Sequence, residues 1–134
     1  MYLLDTNIWL ERLLDQERGQ EVGEFLSRVL ADNLFITDFS FHSIGVILNK
    51  LGQQEVFLRF VQDVFLDHDV HLIALGPEWM ERVIDVMNQF ALDFDDAYQF
   101  VAADVYGVIL VSFDRDFMRT PRGRVTPKDI LAGL

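Results

Sequence analysis

The chain has 134 residues, of which 51% are hydrophobic and 13% aromatic, and its formal net charge is −11. This size and composition favour one domain, residues 1–134, with enough apolar material for a packed core, and they exclude general disorder. The absence of cysteine excludes disulfides, thiolate zinc sites, iron–sulfur clusters and cysteine nucleophiles.

Neither a membrane span nor an export signal is expected. No apolar run approaches the roughly 18 to 20 residues that a spanning helix requires. The first residues carry Asp5 where a signal peptide would carry basic charge. Together with the lack of cysteine, these features predict a cytoplasmic protein. The strongly negative net charge repels polyanions at long range, which argues against nonspecific coating of nucleic acid.

Short apolar runs alternate with segments of helical periodicity along the chain. The runs predict four strands, at residues 1–4, 34–36, 71–75 and 108–111. Apolar residues at helical spacing predict five helices, within residues 22–30, 41–51, 56–65, 77–90 and 95–105. Strands separated by helices pair in parallel through right-handed crossovers. The predicted fold is therefore α/β, a three-layer α/β/α sandwich with a central, mainly parallel sheet.

Aspartates follow the first and last predicted strands. Asp5 closes the first strand, Asp114 and Asp116 follow the last, and Asp96 lies in the first turn of the helix before it. In parallel sheets, ligands bind beyond the carboxyl ends of the strands. Crowded carboxylates repel one another unless cations neutralise them. Oxygen ligands without cysteine, and without histidine at ligand spacing, select Mg²⁺ or Mn²⁺, which can support phosphodiester hydrolysis. Ordinary turn chemistry remains the alternative explanation for these aspartates.

Three sequence blocks resemble those of PIN-domain nucleases, and more narrowly the small toxins of VapBC-type toxin–antitoxin pairs. They are Leu3-Leu4-Asp5-Thr6-Asn7, Asp96-Ala97 followed by an apolar helix with Ala102-Ala103, and Leu110-Val111-Ser112-Phe113-Asp114-Arg115-Asp116-Phe117. The resemblance implies an endoribonuclease dependent on Mg²⁺ or Mn²⁺, forming a homodimer and inhibited by a cognate antitoxin. It implies that Asp5, Asp96 and Asp114 are the core metal ligands and catalytic residues, supported by Asp116. It also implies that Thr6 or Asn7 hydrogen-bonds near Asp5 or the scissile phosphate of the RNA substrate.

The family pattern has a further block, in the helix after the second strand, and this chain departs from it at one position. Where the family usually carries a glutamate about one turn into the helix after the second strand, this chain has Ser43. Asp38 and Asp93 are alternative sources of the missing carboxylate, from different backbone positions. The departure leaves open an alternative function, that of a catalytically impaired PIN-like domain serving as an RNA-binding or protein-interaction module.

Positive charge is concentrated near the end of the sequence. Between residues 115 and 128 five basic residues stand against one acidic residue. Among them Arg115, Arg119 and Arg122 are candidate contacts to RNA phosphates. Ser43 is a further candidate substrate contact. A solvated surface segment is the alternative reading of this charge. The aromatic stripe within residues 56–65 fits either the core or a dimer contact.

Overall fold

Four parallel strands form the central sheet of the structure, a computed structural model that describes residues 1–134. The strands are β1 (Tyr2–Leu4), β2 (Leu34–Thr37), β3 (His71–Ile73) and β4 (Ile109–Val111). Their order across the sheet is β3-β2-β1-β4, and every neighbouring pair is parallel. The predicted α/β architecture is confirmed. The third strand ends two residues earlier than predicted.

Seven α-helices connect and cover the strands. They are α1 (Thr6–Leu13), α2 (Gly19–Arg28), α3 (Asp38–Lys50), α4 (Gln54–Val61), α5 (Met80–Phe90), α6 (Phe94–Tyr106) and α7 (Pro127–Ala132). A π-helical turn at Gln62–Leu66 extends α4, and 3₁₀ turns occur at Ala31–Asn33, Pro77–Trp79 and Arg115–Arg119. No helix is both long and apolar enough to cross a membrane.

Two hydrophobic cores lie on opposite faces of the sheet. Successive side chains of a strand point to opposite faces, so Leu3 packs with residues of α5 and α6 whereas Leu4 packs with residues of α1, α2 and α3. Both leucines are completely buried. This double burial explains why the strands are continuous apolar runs, and it gives the three-layer arrangement. All six apolar residues of the stripe predicted within 56–65 contribute to the second core: Phe60 is buried in it, and the partly buried side chains that pack against it are Val56, Phe57, Val61, Val64 and Phe65.

At the carboxyl ends of three strands, a polar side chain caps the helix or helical turn that follows. Asp5 follows β1 and accepts a hydrogen bond from the Thr6 backbone N–H, and Thr37 at the end of β2 accepts one from the Ser40 N–H. Asp114, after β4, accepts one from the Asp116 N–H. Polar side chains satisfy helix N-termini in this way because the first backbone N–H groups have no partner within the helix. The same turns therefore bring polar side chains to one edge of the sheet.

Candidate functional site

A cleft of about 310 Å³ lies beyond the carboxyl ends of β1 and β4. It brings together six of the residues predicted from the sequence: Asp5, Thr6, Asn7, Ser43, Asp96 and Asp114. Asp93 and Asp95 also line it. Asp116 lies beside the cleft, and carboxylate oxygens of Asp96, Asp114 and Asp116 all lie within 4.8 Å of one another. The four aspartates singled out in the sequence thus converge on one edge of the sheet.

Asp5 is held rigidly by three donors. Its Oδ1 accepts hydrogen bonds from the Thr6 N–H at 2.9 Å and from Gln99 Nε2 at 3.0 Å, and its Oδ2 accepts one from Ser112 Oγ at 2.7 Å. The side chain is almost completely buried. Burial raises the pKa of Asp5 because it disfavours the charged form, and it outweighs the hydrogen bonds from Gln99, Ser112 and Thr6, which favour that form.

Gln99, on α6, connects Asp5 to the end of β2. Its side chain is completely buried, and its Oε1 accepts a hydrogen bond from Thr37 Oγ1 at 2.7 Å. Its Nε2 donates to Ser40 Oγ at 2.9 Å as well as to Asp5. Sequence reasoning did not identify this residue. The available signal was a lone glutamine in an apolar helix, three residues after Asp96 and therefore on the same helix face.

Asp96 and Asp114 approach each other from different elements. Asp96 lies in the first turn of α6, where its backbone N–H donates to Asp93 Oδ1 at 2.8 Å. The Asp114 N–H donates to Ser112 Oγ at 3.0 Å, so that Ser112 links Asp114 to Asp5. Burial, followed by the negative charges of Asp114, Asp93 and Asp5, raises the pKa of Asp96 to about 8. These carboxylates therefore resist simultaneous ionisation in the absence of a cation.

The metal-free protein is expected to lose stability as the pH rises from about 4 to about 8. The folded-state pKa of Asp96 is raised above its ordinary value of 3.8, so the folded protein binds this proton more tightly than the unfolded chain does. The associated stabilisation is complete at pH values below the unfolded pKa and is lost as the pH rises through the folded pKa. Melting temperatures measured in EDTA across this range test the prediction. A melting temperature that stays constant or rises would contradict it.

The residue at the position of the missing glutamate, Ser43, lies at the cleft. Ser43 lines the cleft from α3. Of the two alternative carboxylates, Asp93 also lines the cleft. Asp38 does not, because its Oδ1 accepts hydrogen bonds from Tyr98 Oη at 2.7 Å and from the Phe39 N–H at 2.8 Å. Asp93 is therefore better placed than Asp38 to contribute a carboxylate.

Some of the predicted substrate-contacting side chains already form hydrogen bonds or ion pairs within the protein, and others do not. Thr6 Oγ1 donates to Ser40 Oγ at 2.8 Å, and Asn7 Oδ1 accepts from the Phe113 N–H at 3.3 Å. Arg119 donates to the Ala91 carbonyl oxygen at 2.6 Å and to Asp116 Oδ1 at 3.1 Å. Arg115, in contrast, is exposed and forms no ion pair. Arg115 is thus free to meet a ligand, whereas Arg119 is already bonded to Asp116 and to the end of α5.

The donor set of the cluster fits a hard divalent cation. Its ligand atoms are carboxylate oxygens, the type that Mg²⁺ and Mn²⁺ prefer, and their mutual separations permit a shared ion. Asp5, Asp96 and Asp114 form no salt bridge with any basic residue. A cation would therefore relieve a repulsion that the protein itself leaves uncompensated.

Comparison with known proteins identifies the family. The PIN domain model matches residues 2–123, which is most of the chain. The chain belongs to the PIN domain family. No curated protein sequence gives a significant match. The assignment agrees with the resemblance carried by the three sequence blocks.

Solved structures of similar fold come from several organisms. A toxin–antitoxin complex from Klebsiella pneumoniae is 23% identical with a TM-score of 0.75, and the match covers 95% of this chain and 98% of that one. The sarcin-ricin loop cleaving toxin VapC20 of Mycobacterium tuberculosis is 15% identical with a TM-score of 0.79, covering 95% and 100%. FitAcB from Neisseria gonorrhoeae is 15% identical with a TM-score of 0.73, covering 96% and 99%. These likenesses establish that the PIN fold extends over nearly the whole chain.

Proposed function

We propose that this PIN-domain protein is an endoribonuclease dependent on Mg²⁺ or Mn²⁺, and that it is the toxin of a toxin–antitoxin pair. The observation that carries the proposal is the carboxylate cluster, in which Asp116 pairs with Arg119 but Asp96 and Asp114 have no basic partner. Oxygens of Asp96, Asp114 and Asp116 lie within 4.8 Å of one another, and Asp5 lines the neighbouring cleft. Holding these repelling groups together is unfavourable unless a cation neutralises them.

Each residue of the cleft has a role in this proposal. Asp5, Asp96 and Asp114 would hold the divalent cation, and Asp116 would hold it or one of its waters. A bound divalent cation lowers the pKa of a coordinated water and stabilises the oxygen that leaves during phosphodiester hydrolysis. Gln99 and Ser112 keep the Asp5 carboxylate in one orientation. Asn7 lines the cleft and would orient the backbone before Asp114, because its Oδ1 accepts from the Phe113 N–H and its Nδ2 donates to Ser112 Oγ.

The toxin assignment draws on the family and on the fold neighbours. Two of the similar structures are described as a toxin–antitoxin complex and as a toxin that cleaves the sarcin-ricin loop. We infer an RNA substrate and a cognate antitoxin for this chain on that basis. An apolar groove between α3 and α4, lined by Phe41, Val46, Phe57 and Leu58, supports a protein contact, and we include a homodimer in the proposal. Light scattering of the purified protein measures that oligomeric state.

Addition of Mn²⁺ to EDTA-treated protein is expected to raise the melting temperature saturably and to start RNA cleavage. A ligand that binds only the folded state contributes about 2.7 kcal/mol at a hundredfold excess over its Kd. For a domain of this size that corresponds to about 8–10 °C. Differential scanning fluorimetry and gel analysis of a mixed RNA substrate provide the two readouts. Excess EDTA should reverse both effects.

Ser43 gives a specific reason to keep a second candidate function. A PIN domain without the usual glutamate could bind RNA or a protein partner without cutting RNA. If Mn²⁺ produces neither a thermal shift nor cleavage, the nuclease proposal is wrong and the binding-module function takes its place. If Mn²⁺ stabilises the protein and RNA is cut, the remaining carboxylates suffice and the noncatalytic alternative is eliminated.

A further inference from the structure

Two arginines near the carboxylate cluster lack partners within the protein. The segment from residue 115 to residue 124 contains four arginines, of which Arg119 pairs with Asp116 and Arg122 with Asp104, both at 3.1 Å. Arg115 and Arg124 form no ion pair. The two unpaired guanidinium groups are therefore the ones that remain available to an external anion.

Arg115 and Arg124 line the same cleft. It has a volume of about 330 Å³, and its other lining residues are Met118 and Asp129. Arg115 stands in the chain between Asp114 and Asp116, two residues of the carboxylate cluster. Arg115 therefore lines the basic cleft and is bonded along the chain to two residues of the carboxylate cluster.

One donor of Arg124 has no partner within the protein. Its Nε–H is buried and has no hydrogen-bond acceptor. Leaving a donor of a charged group without an acceptor is unfavourable, so the chain itself does not satisfy the guanidinium group of Arg124. Asp129 is the one acidic lining residue, and its Oδ2 accepts a hydrogen bond from the Thr126 N–H at 2.9 Å. The two arginines together with Asp129 leave a surplus of positive charge in the cleft.

We propose that Arg115 and Arg124 form a subsite for a backbone phosphate of the RNA strand, next to the phosphate that is cut. This inference rests on the proposed nuclease function. The planar, multidentate guanidinium matches phosphate oxygens better than an ammonium group does. The site also explains how a protein with a net charge of −11 holds a polyanion, since local phosphate contacts replace long-range attraction. Arg119, predicted from the sequence as a substrate contact, is a structural residue in this view.

RNA binding by Arg115→Gln and Arg124→Gln variants tests the subsite. Fluorescence anisotropy with a short single-stranded RNA is measured in the Asp96→Asn background with Mg²⁺ present, so that cleavage is blocked. Each variant is expected to weaken RNA binding by about five- to tenfold and to reduce the slope of log K against log salt by about 0.7–1. Arg124→Lys should recover part of the affinity lost in Arg124→Gln, because lysine restores the positive charge but not the planar, multidentate guanidinium group. Arg28→Gln is the matched control, since Arg28 is exposed on α2 and pairs only with Glu24.

The results separate failure of the subsite from failure of the nuclease function. If the Arg115→Gln and Arg124→Gln variants bind RNA as the Arg28→Gln control does, or if no variant and no parent protein binds RNA, the subsite is overturned. If RNA binding depends on both arginines but the wild-type protein cuts no RNA with Mn²⁺, the subsite is supported and the proposed nuclease function is wrong. Melting temperatures close to that of the parent confirm that the variants are folded.

Discussion

Asp96→Asn is expected to abolish RNA cleavage while raising the melting temperature of the metal-free protein. The variant removes one ligand of the proposed cation, and we expect cleavage to fall by about 10³-fold, equivalent to about 4 kcal/mol of transition-state stabilisation. It also removes a buried carboxyl whose pKa is raised to about 8 by burial and by Asp114, Asp93 and Asp5. At pH 8 to 9 in EDTA this removal should stabilise the fold by about 1–2 kcal/mol, or about 4–7 °C.

The two effects of Asp96→Asn have separate controls. Asp85→Asn removes an exposed carboxylate of α5 that does not line the cleft, and it should change neither cleavage nor the metal-free melting temperature appreciably. The stabilisation by Asp96→Asn should shrink at pH 5, where the wild-type carboxyl is already protonated. A variant that melts below the wild type at every pH would identify Asp96 as a structural residue and contradict the proposed role.

Gln99→Met is expected to be the most destabilising conservative change in the site. Methionine has a similar shape but removes the acceptor for Thr37 Oγ1 and the donor to Asp5 Oδ1 and Ser40 Oγ. Leaving buried polar groups without partners costs about 1–3 kcal/mol each. We expect a loss of about 3–5 kcal/mol, or about 10–15 °C in melting temperature. Cleavage should fall by about 10–100-fold, as for other residues that orient a metal ligand.

A comparison with Gln89 isolates the hydrogen-bond network from general helix effects. Gln89→Met makes the same chemical change at an exposed position of α5 and should leave stability and cleavage near the wild-type values. Urea unfolding at fixed pH and initial cleavage rates with saturating Mn²⁺ provide the measurements. If Gln99→Met unfolds like Gln89→Met, the network around Asp5 contributes little and the rigid orientation of Asp5 loses its explanation.

The architecture could be predicted from the sequence because every strand carried the same signal, a short continuous run of apolar residues. All four strands were visible as apolar runs, and burial on both faces, as at Leu3 and Leu4, is what makes such runs continuous. Helices α1 and α7 were not predicted. The first follows β1 with only Asp5 between them as its N-cap and is eight residues long, and the second is six residues long, so neither offers several turns of apolar periodicity.

The site was predictable in its acidic residues but not in the groups that position them. Asp5, Asp96 and Asp114 stand at strand or helix ends, where topology alone predicts their convergence. Gln99 acts through contacts with Thr37 and Asp5, which are 62 and 94 residues away in the chain. Long-range partners of this kind leave no local pattern in a single sequence. The same limit applies to the bond from Arg119 to the Ala91 carbonyl oxygen, which is 28 residues away in the chain.

The bonds that hold Asp5 also determine when during synthesis the site can form. Asp5 leaves the ribosome well before its partners Gln99 and Ser112, which follow it by 94 and 107 residues. A nascent chain therefore carries an unconstrained Asp5 until almost all of the domain has emerged. Because domains generally fold as units once their residues are available, the Asp5 site would form only after Ser112 and the rest of the domain have emerged. Under the proposed function, the nascent chain would therefore lack nuclease activity while these residues are still being synthesised.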